Sequence, residues 1–275
     1  MAGGGFHIKY RKTNHGIYNA VEGEIQLPTD LKADKKEDTI LDKYGNKIRQ
    51  NICPEFFFGM YKDVYIGKDK NGNDLYIHYG LDAGIVFFPS NDFKLTINMF
   101  GTTSGEYDNE GEPVTWFEEN LPTVNPGDIV YLEVFLIPNK IFLIARNAIT
   151  RRRLGILMAP LNENAFNAIN AGSYINRESV MASNLEDNQY VPSGAYFSKA
   201  TWRKTKITNA QTHEVIHLTE QNSFLKEPYD DHEKYKKYGK RPYGFKCGGY
   251  TVTEPGNDGL GDFVADVSYG DCRNK

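Results

Sequence analysis

Several groups of side chains in this sequence are of types that do chemistry. His213-Glu214-Val215-Ile216-His217 satisfies H-E-x-x-H. On a helix, histidines at i and i+4 face one way and bind zinc, while the glutamate activates the metal-bound water. The helix is the difficulty, because Thr212 to Thr219 is bounded by threonines, holds a Val-Ile pair and follows a strand-like run from Trp202 to Thr208. As a strand, His213, Val215 and His217 alternate with Glu214, Ile216 and Leu218. Glu220 stands where the extended zinc-protease motif needs glycine, and Asp231, His232 and Glu233 recommend themselves as a third ligand only by lying downstream. A zinc peptidase is therefore the third reading, and neither a metal nor another cofactor is expected.

The aromatic residues form a second group. Sheets lined with Trp and Tyr bind sugars by stacking on their apolar ring faces, and Asp and Asn fix the hydroxyls. Trp116, Trp202 and Tyr76 are the candidates. Two acidic stretches invite a calcium reading. Asp69, Asn71 and Asn73 have their glycine misplaced and Gly80 where a calcium loop ends in glutamate, so a hairpin turn is expected. Asp108 to Glu112 reads as an exposed acidic turn.

The elements that must position these groups are strands. Val64-Tyr65-Ile66-Gly67 and Leu75 to Tyr79 flank Asn71-Gly72, a dipeptide that tolerates positive φ and marks a hairpin. Further strands are expected over Gly84 to Phe88, Lys94 to Phe100, Ile129 to Leu136, Ile141 to Arg146, Ala195 to Ile207 and Phe263 to Tyr269. In the stretch before Ile207, Tyr196, Ser198, Ala200 and Trp202 alternate with Phe197, Lys199 and Thr201. Asn162 to Gly172 predicts one short helix, capped by Asn162 and stopped by Gly172. Pro228 to Lys240 is a charged helix or ordered loop. The pattern predicts an all-β, antiparallel sandwich with one or two short helices, a single domain over 1–275 whose first five or so residues are flexible.

Composition sets the outer limits. The 275 residues are 40% hydrophobic, 25% charged and 13% aromatic, which describes an ordinary globular chain. A net charge of -4 without a basic stripe argues against nucleic acid as partner. Arg151-Arg152-Arg153 marks a strand end or turn, and no apolar run is long enough for an integral membrane helix. The Met-Ala-Gly-Gly-Gly start leaves two alternatives, a cytosolic protein or a signal peptide replaced by an expression start. Of three cysteines, Cys247 and Cys272 are close enough in sequence to pair, which leaves Cys53 as a buried thiol.

Phe57-Phe58-Gly59-Met60, Tyr76-Ile77-His78-Tyr79-Gly80-Leu81-Asp82, Val124-Asn125-Pro126-Gly127-Asp128-Ile129, Asn176-Arg177-Glu178-Ser179-Val180 and Gly194-Ala195-Tyr196-Phe197 follow one another in order. Together they resemble the glutamic peptidases of the eqolisin type. The resemblance implies a concanavalin A-like jelly-roll, with Glu178 as the carboxylate that moves protons on a water and His78 where the family has a glutamine. His78 is a departure, since the family's amide steadies the oxyanion; a histidine can donate there, and a His–Glu pair can divide proton transfer. Strand parity points His78 outward with Tyr76, and the resemblance implies that His78 and Glu178 share one water on a concave face. The leading expectation is a secreted or cell-surface, bacterial-type, lectin-like module for a glycan or an extended peptide. The alternative is a hydrolase using Glu178 and His78.

Overall fold

Alternating side chains build the hairpin over Ile129–Ile137 and Lys140–Asn147: Val130, Leu132, Val134, Leu136, Ile141, Leu143 and Ala145 are buried, while their neighbours face outward. Asn139 closes it with a φ of 65°, a left-handed conformation that asparagine adopts more readily than most residues. A computed structural model of the chain describes residues 5–14, 16–36, 50–103, 115–183, 195–226, 250–252 and 263–265.

In chain order these contain β1 (Gly5–Thr13), β2 (Tyr18–Gln26), β3 (Leu31–Lys32), β4 (Asp34–Lys36), β5 (Gln50–Lys68), β6 (Asp74–Phe87), β7 (Phe93–Thr103), β8 (Thr115–Asn120), β9 (Ile129–Ile137), β10 (Lys140–Asn147) and β11 (Arg153–Pro160). Helix α1 (Glu163–Asn170) follows, then β12 (Tyr174–Ser183), β13 (Tyr196–Asn209), β14 (Val215–His217), β15 (Ser223–Lys226), β16 (Tyr250–Val252) and β17 (Phe263–Ala265). Two antiparallel sheets result. One runs β15-β1-β12-β5-β6-β7-β8, with β4 beside β5; the other runs β11-β10-β9-β2-β13-β17-β16, with β3 and β14 on β13. This is the antiparallel sandwich that the strand pattern predicts.

The core lies between the sheets. Phe56, Phe58 and Met60 of β5 and Leu81, Ala83 and Ile85 of β6 point into it from the eight-stranded sheet. Phe197 and Trp202 of β13 meet them from the other side, with ring centroids 5.2 Å from Phe56 and 4.9 Å from Phe58 respectively. Arg177 of β12 is also fully buried here and donates from Nη1 to Thr205 Oγ1 at 3.0 Å.

Two expectations change at this level. Trp202 is fully buried and donates from Nε1 to Ser179 Oγ at 3.2 Å, so it is a core residue and no part of a ligand surface. Uniform alternation put Phe197 and Trp202 on opposite faces, yet both are buried in the core. A register shift between Phe197 and Ala200 breaks the period of two between them, as bulges do by adding a residue to one strand. The strand preferred for the H-E-x-x-H stretch does form over Val215–His217, and the third reading, a zinc helix, finds no helix there. His213 sits in a turn with a φ of 57°, and Val215–His217 is a strand paired with β13, so the i, i+4 geometry of the motif is never formed.

The local punctuation follows the expectations. Gly72 has a φ of 85° in the β5–β6 turn, and the Asp69 carboxylate accepts from the Asn71 and Asn73 backbone N–H groups at 2.8 Å. Asn162 Oδ1 caps α1 by accepting from Asn164 N at 2.7 Å. Among the described residues no helix is long and apolar enough to cross a membrane. Cys53 is free and buried, and desolvation, reinforced by the charge of Glu55, pushes its thiol well above the usual range. Cys247, Cys272, the 108–112 turn and the 228–240 segment lie outside the described residues.

Candidate functional site

Strand pairing places the candidate site on the outer face of the eight-stranded sheet. Because Phe56, Phe58 and Met60 point inward, Phe57, Gly59, Tyr61 and Asp63 belong to the outer face of β5. Leu81 and Ala83 likewise leave His78, Gly80 and Asp82 outside on β6, and Arg177 and Ser179 leave Asn176 and Glu178 outside on β12. Directly opposite residues then align across strands. Asn176, Gly59 and Asp82 form one row, Tyr174, Tyr61 and Gly80 the next, and Asp63 faces His78 beyond them.

Tyr61 ties these rows together. Its side chain folds back along β5 over Gly59, where a Cβ would lie 2.2 Å from the Tyr61 hydroxyl oxygen. Only glycine leaves room for the ring there, one reason for a glycine inside a strand. The ring is held by Tyr174 at a centroid distance of 5.3 Å, and Lys12 Nζ stands 3.4 Å over the Tyr174 ring.

The hydroxyl so positioned reaches two carboxylates. Tyr61 donates to Asp82 Oδ1, and the same hydroxyl oxygen lies 3.5 Å from Glu178 Oε1. Both carboxylate oxygens are thus within 3.5 Å of one atom, which holds them less than twice that distance apart. Asn176 Nδ2 donates to Glu178 Oε1 at 2.8 Å. Glu178 is 2% exposed, and Asn176 and Tyr61 are also buried. Desolvation raises the Tyr61 hydroxyl well above an ordinary phenol, and the negative charges of Asp82 and Glu178 add to that. The hydroxyl therefore remains a neutral donor at any physiological pH. With a single proton it donates to one carboxylate at a time, Asp82 being the nearer acceptor and Glu178 Oε1, at 3.5 Å, the other.

His78 and Glu178, the two sequence candidates for catalysis, share this face, and each meets Tyr61. The His78 ring stacks on Tyr61 with centroids 5.8 Å apart and planes 12° from parallel, while His78 Nδ1 is hydrogen-bonded to Asp63 Oδ1. The residue that joins Glu178 through the hydroxyl is Asp82, four positions further along the same strand. Tyr76 is on the same face too, two residues beyond His78, with its ring against Tyr65 at 5.5 Å. Trp116 is 42% exposed and stands opposite Asn98 on the same face, donating from Nε1 to Glu118 Oε2 at 3.2 Å.

Tyr61, Asp82, Asn176 and Asn98 were not singled out by sequence. A signal existed in Gly59-Met60-Tyr61, since a strand-interior glycine two residues from an aromatic invites the ring to fold over it. Among the described residues no group of three His, Cys, Asp or Glu side chains is arranged to hold a metal ion.

No protein-family model and no curated protein sequence matches the chain. Solved structures similar to it are an eqolisin-family peptidase, SCP-B, in complex with a tripeptide, at 10% identity over 95% of this chain and 98% of that one, with a TM-score of 0.41. Another is the enzymatically active domain of bacteriophage CBA120 tailspike protein 2, at 11% identity over 84% of this chain, with a TM-score of 0.37. This chain spans only 25% of that domain's length. A third is porphyranase B from Zobellia galactanivorans, at 12% identity over 62% of this chain and 54% of that one, with a TM-score of 0.36. Values this low assign neither family nor activity, so the functional reading rests on the chain's own residues.

Proposed function

We propose that the outer face of the eight-stranded sheet binds an extended ligand, a glycan or a peptide, and hydrolyses it with Glu178 and Asp82. The observation that carries this reading is the convergence of two carboxylates on the Tyr61 hydroxyl. Paired carboxylates in a partly desolvated site are a recurrent acid–base device, because their shared environment separates their protonation states. Glu178 takes a proton from a water as its oxygen attacks the scissile carbon. That proton passes to the leaving group as the bond breaks, which restores the starting carboxylates. Tyr61 donates to Asp82, which holds the hydroxyl beside Glu178. His78, held by Asp63 and stacked on Tyr61, positions that tyrosine.

Burial of Glu178 to 2% exposure favours a second reading, a lectin-like surface in which the same network only orders the sheet. Activity assays at acidic pH separate the two. With unfolded protein and neutral polysaccharide as substrates, wild-type protein should release products. Glu178→Gln should lower the rate about 100-fold or more, as loss of a positioned acid or base does, and Asp82→Asn should lower it less by freeing the Tyr61 hydroxyl, while the fold is retained by circular dichroism. Failure of the wild type to cleave either substrate class would leave the binding reading.

A further inference from the structure

The row through Asp82 extends well beyond the carboxylate pair. Asn176, Gly59, Asp82, Asn98 and Trp116 are directly opposite one another on β12, β5, β6, β7 and β8. Lys12 of β1 continues the row past Asn176. Successive strands are about 4.8 Å apart, so Asn176 to Trp116 spans roughly 19 Å at right angles to the strands. Each strand spacing is close to the length of one sugar unit in an extended chain.

Two acceptors in this row are unused. Asn176 Oδ1 and Asn98 Oδ1 are buried and have no hydrogen-bond partner among the described residues. The Asn176 side chain is the telling one: the residue is 7% exposed, and its Nδ2 is already committed to Glu178. Buried amide oxygens in native proteins are normally satisfied, and an orphaned one on a functional face calls for an explanation. The donors that suit two amide oxygens flanking a carboxylate are hydroxyl groups. Trp116, exposed at the end of the row, offers an apolar ring face on which a sugar can stack.

A peptide fits this surface less well. Peptides recognised by sheets add as a strand along an edge, using free backbone groups, and the interior strands of this face have theirs paired with one another. Charge narrows the choice again. Asp63, Asp82, Glu118 and Glu178 share the described face with Lys12, Lys94 and His78, and Lys94 is already paired with Glu118 at 2.6 Å, a balance that still gives an anionic polymer little to bind.

We propose that this row is the binding site for a neutral glycan laid across the strands, with a ring on Trp116 and hydroxyls donating to Asn98, Asp82 and Asn176. The proposal rests on the reading that this face is the working surface, but it does not require hydrolysis.

The two tryptophans supply the assay. Trp202 is fully buried, so acrylamide-quenchable emission reports Trp116. Cellohexaose, laminarihexaose, mannohexaose and maltohexaose are titrated into wild-type and Glu178→Gln protein, with hexagalacturonate and an unstructured hexapeptide as comparisons. At least one neutral hexasaccharide should shield Trp116 saturably in both proteins. By calorimetry, Trp116→Ala and Asn98→Ala should each weaken that binding about tenfold or more, the effect of one lost stacking or hydrogen-bonding contact. No neutral hexasaccharide binding, hexagalacturonate or the peptide binding in their place, or Trp116→Ala binding like wild type would each overturn the proposal. Peptide cleavage without glycan binding would overturn it while the hydrolase reading stands. Glycan binding without any hydrolysis would support it while the hydrolase reading falls.

Discussion

Replacing Gly59 by alanine puts a methyl group into space that the Tyr61 ring occupies. The added carbon would lie 2.2 Å from the hydroxyl oxygen, 2.3 Å from Cε2 and 2.4 Å from Cζ. No such contact is tolerated, and the flexible partner is the tyrosine, which must swing away. That movement breaks the hydrogen bond to the Asp82 carboxylate, a charge-assisted interaction of about 1.5–3 kcal/mol. Alanine in place of a strand-interior glycine returns roughly 0.5–1 kcal/mol by reducing backbone freedom in the unfolded chain. The net cost of Gly59→Ala should be about 1–2 kcal/mol. In a Tyr61→Ala background the clash is gone, so the same substitution should cost nothing or stabilise slightly. A double-mutant cycle therefore should show a coupling of about 2 kcal/mol. Urea unfolding followed by the emission of buried Trp202 measures all four corners. Equal costs of Gly59→Ala in the two backgrounds would refute the placement of Tyr61 over Gly59, and with it the bridge between Asp82 and Glu178.

Two further outcomes follow from the same geometry. Tyr61 holds its proton more tightly in the folded chain than in the unfolded one, so its contribution is complete below about pH 10 and is lost as pH rises above that value. Tyr61→Phe should flatten the alkaline limb of a stability–pH profile by up to about 1.4 kcal/mol per pH unit, and an unchanged limb would count against a buried hydroxyl. Trp202→Phe should cost about 2–4 kcal/mol by leaving a cavity and an unpaired Ser179 hydroxyl, measured by the urea midpoint. It should leave ligand binding at the outer face intact, because Trp202 never reaches that face.

The strands were legible in the sequence because their signals are local. Alternation in Ile129 to Leu136 and Ile141 to Arg146, Asn71-Gly72 at a turn and the Asn162 cap each specify structure within a few residues, through backbone sterics and neighbouring hydrogen bonds. Strand parity likewise put His78 and Tyr76 outward, and the chain order of the eqolisin-like segments pointed to Glu178 on a later strand. Parity failed in Tyr196 to Asn209, where the register shift between Phe197 and Ala200 carries Trp202 and Phe197 together into the core. A bulge is set by what the partner strand and the opposite sheet demand, so no alternation within β13 announces it. The pairing of acids was equally out of reach. Tyr61 is 117 positions from Glu178 and 21 from Asp82, and they meet only because β5 lies between β12 and β6 in one particular register. A shift of one residue in either ladder would send Glu178 or Asp82 to the opposite face of the sheet. Local propensity therefore determined that this chain would form antiparallel strands with outward-facing polar residues. The choice of Asp82 over His78 as the partner that Tyr61 joins to Glu178 was made by long-range register, with Gly59 providing the space for that bridge.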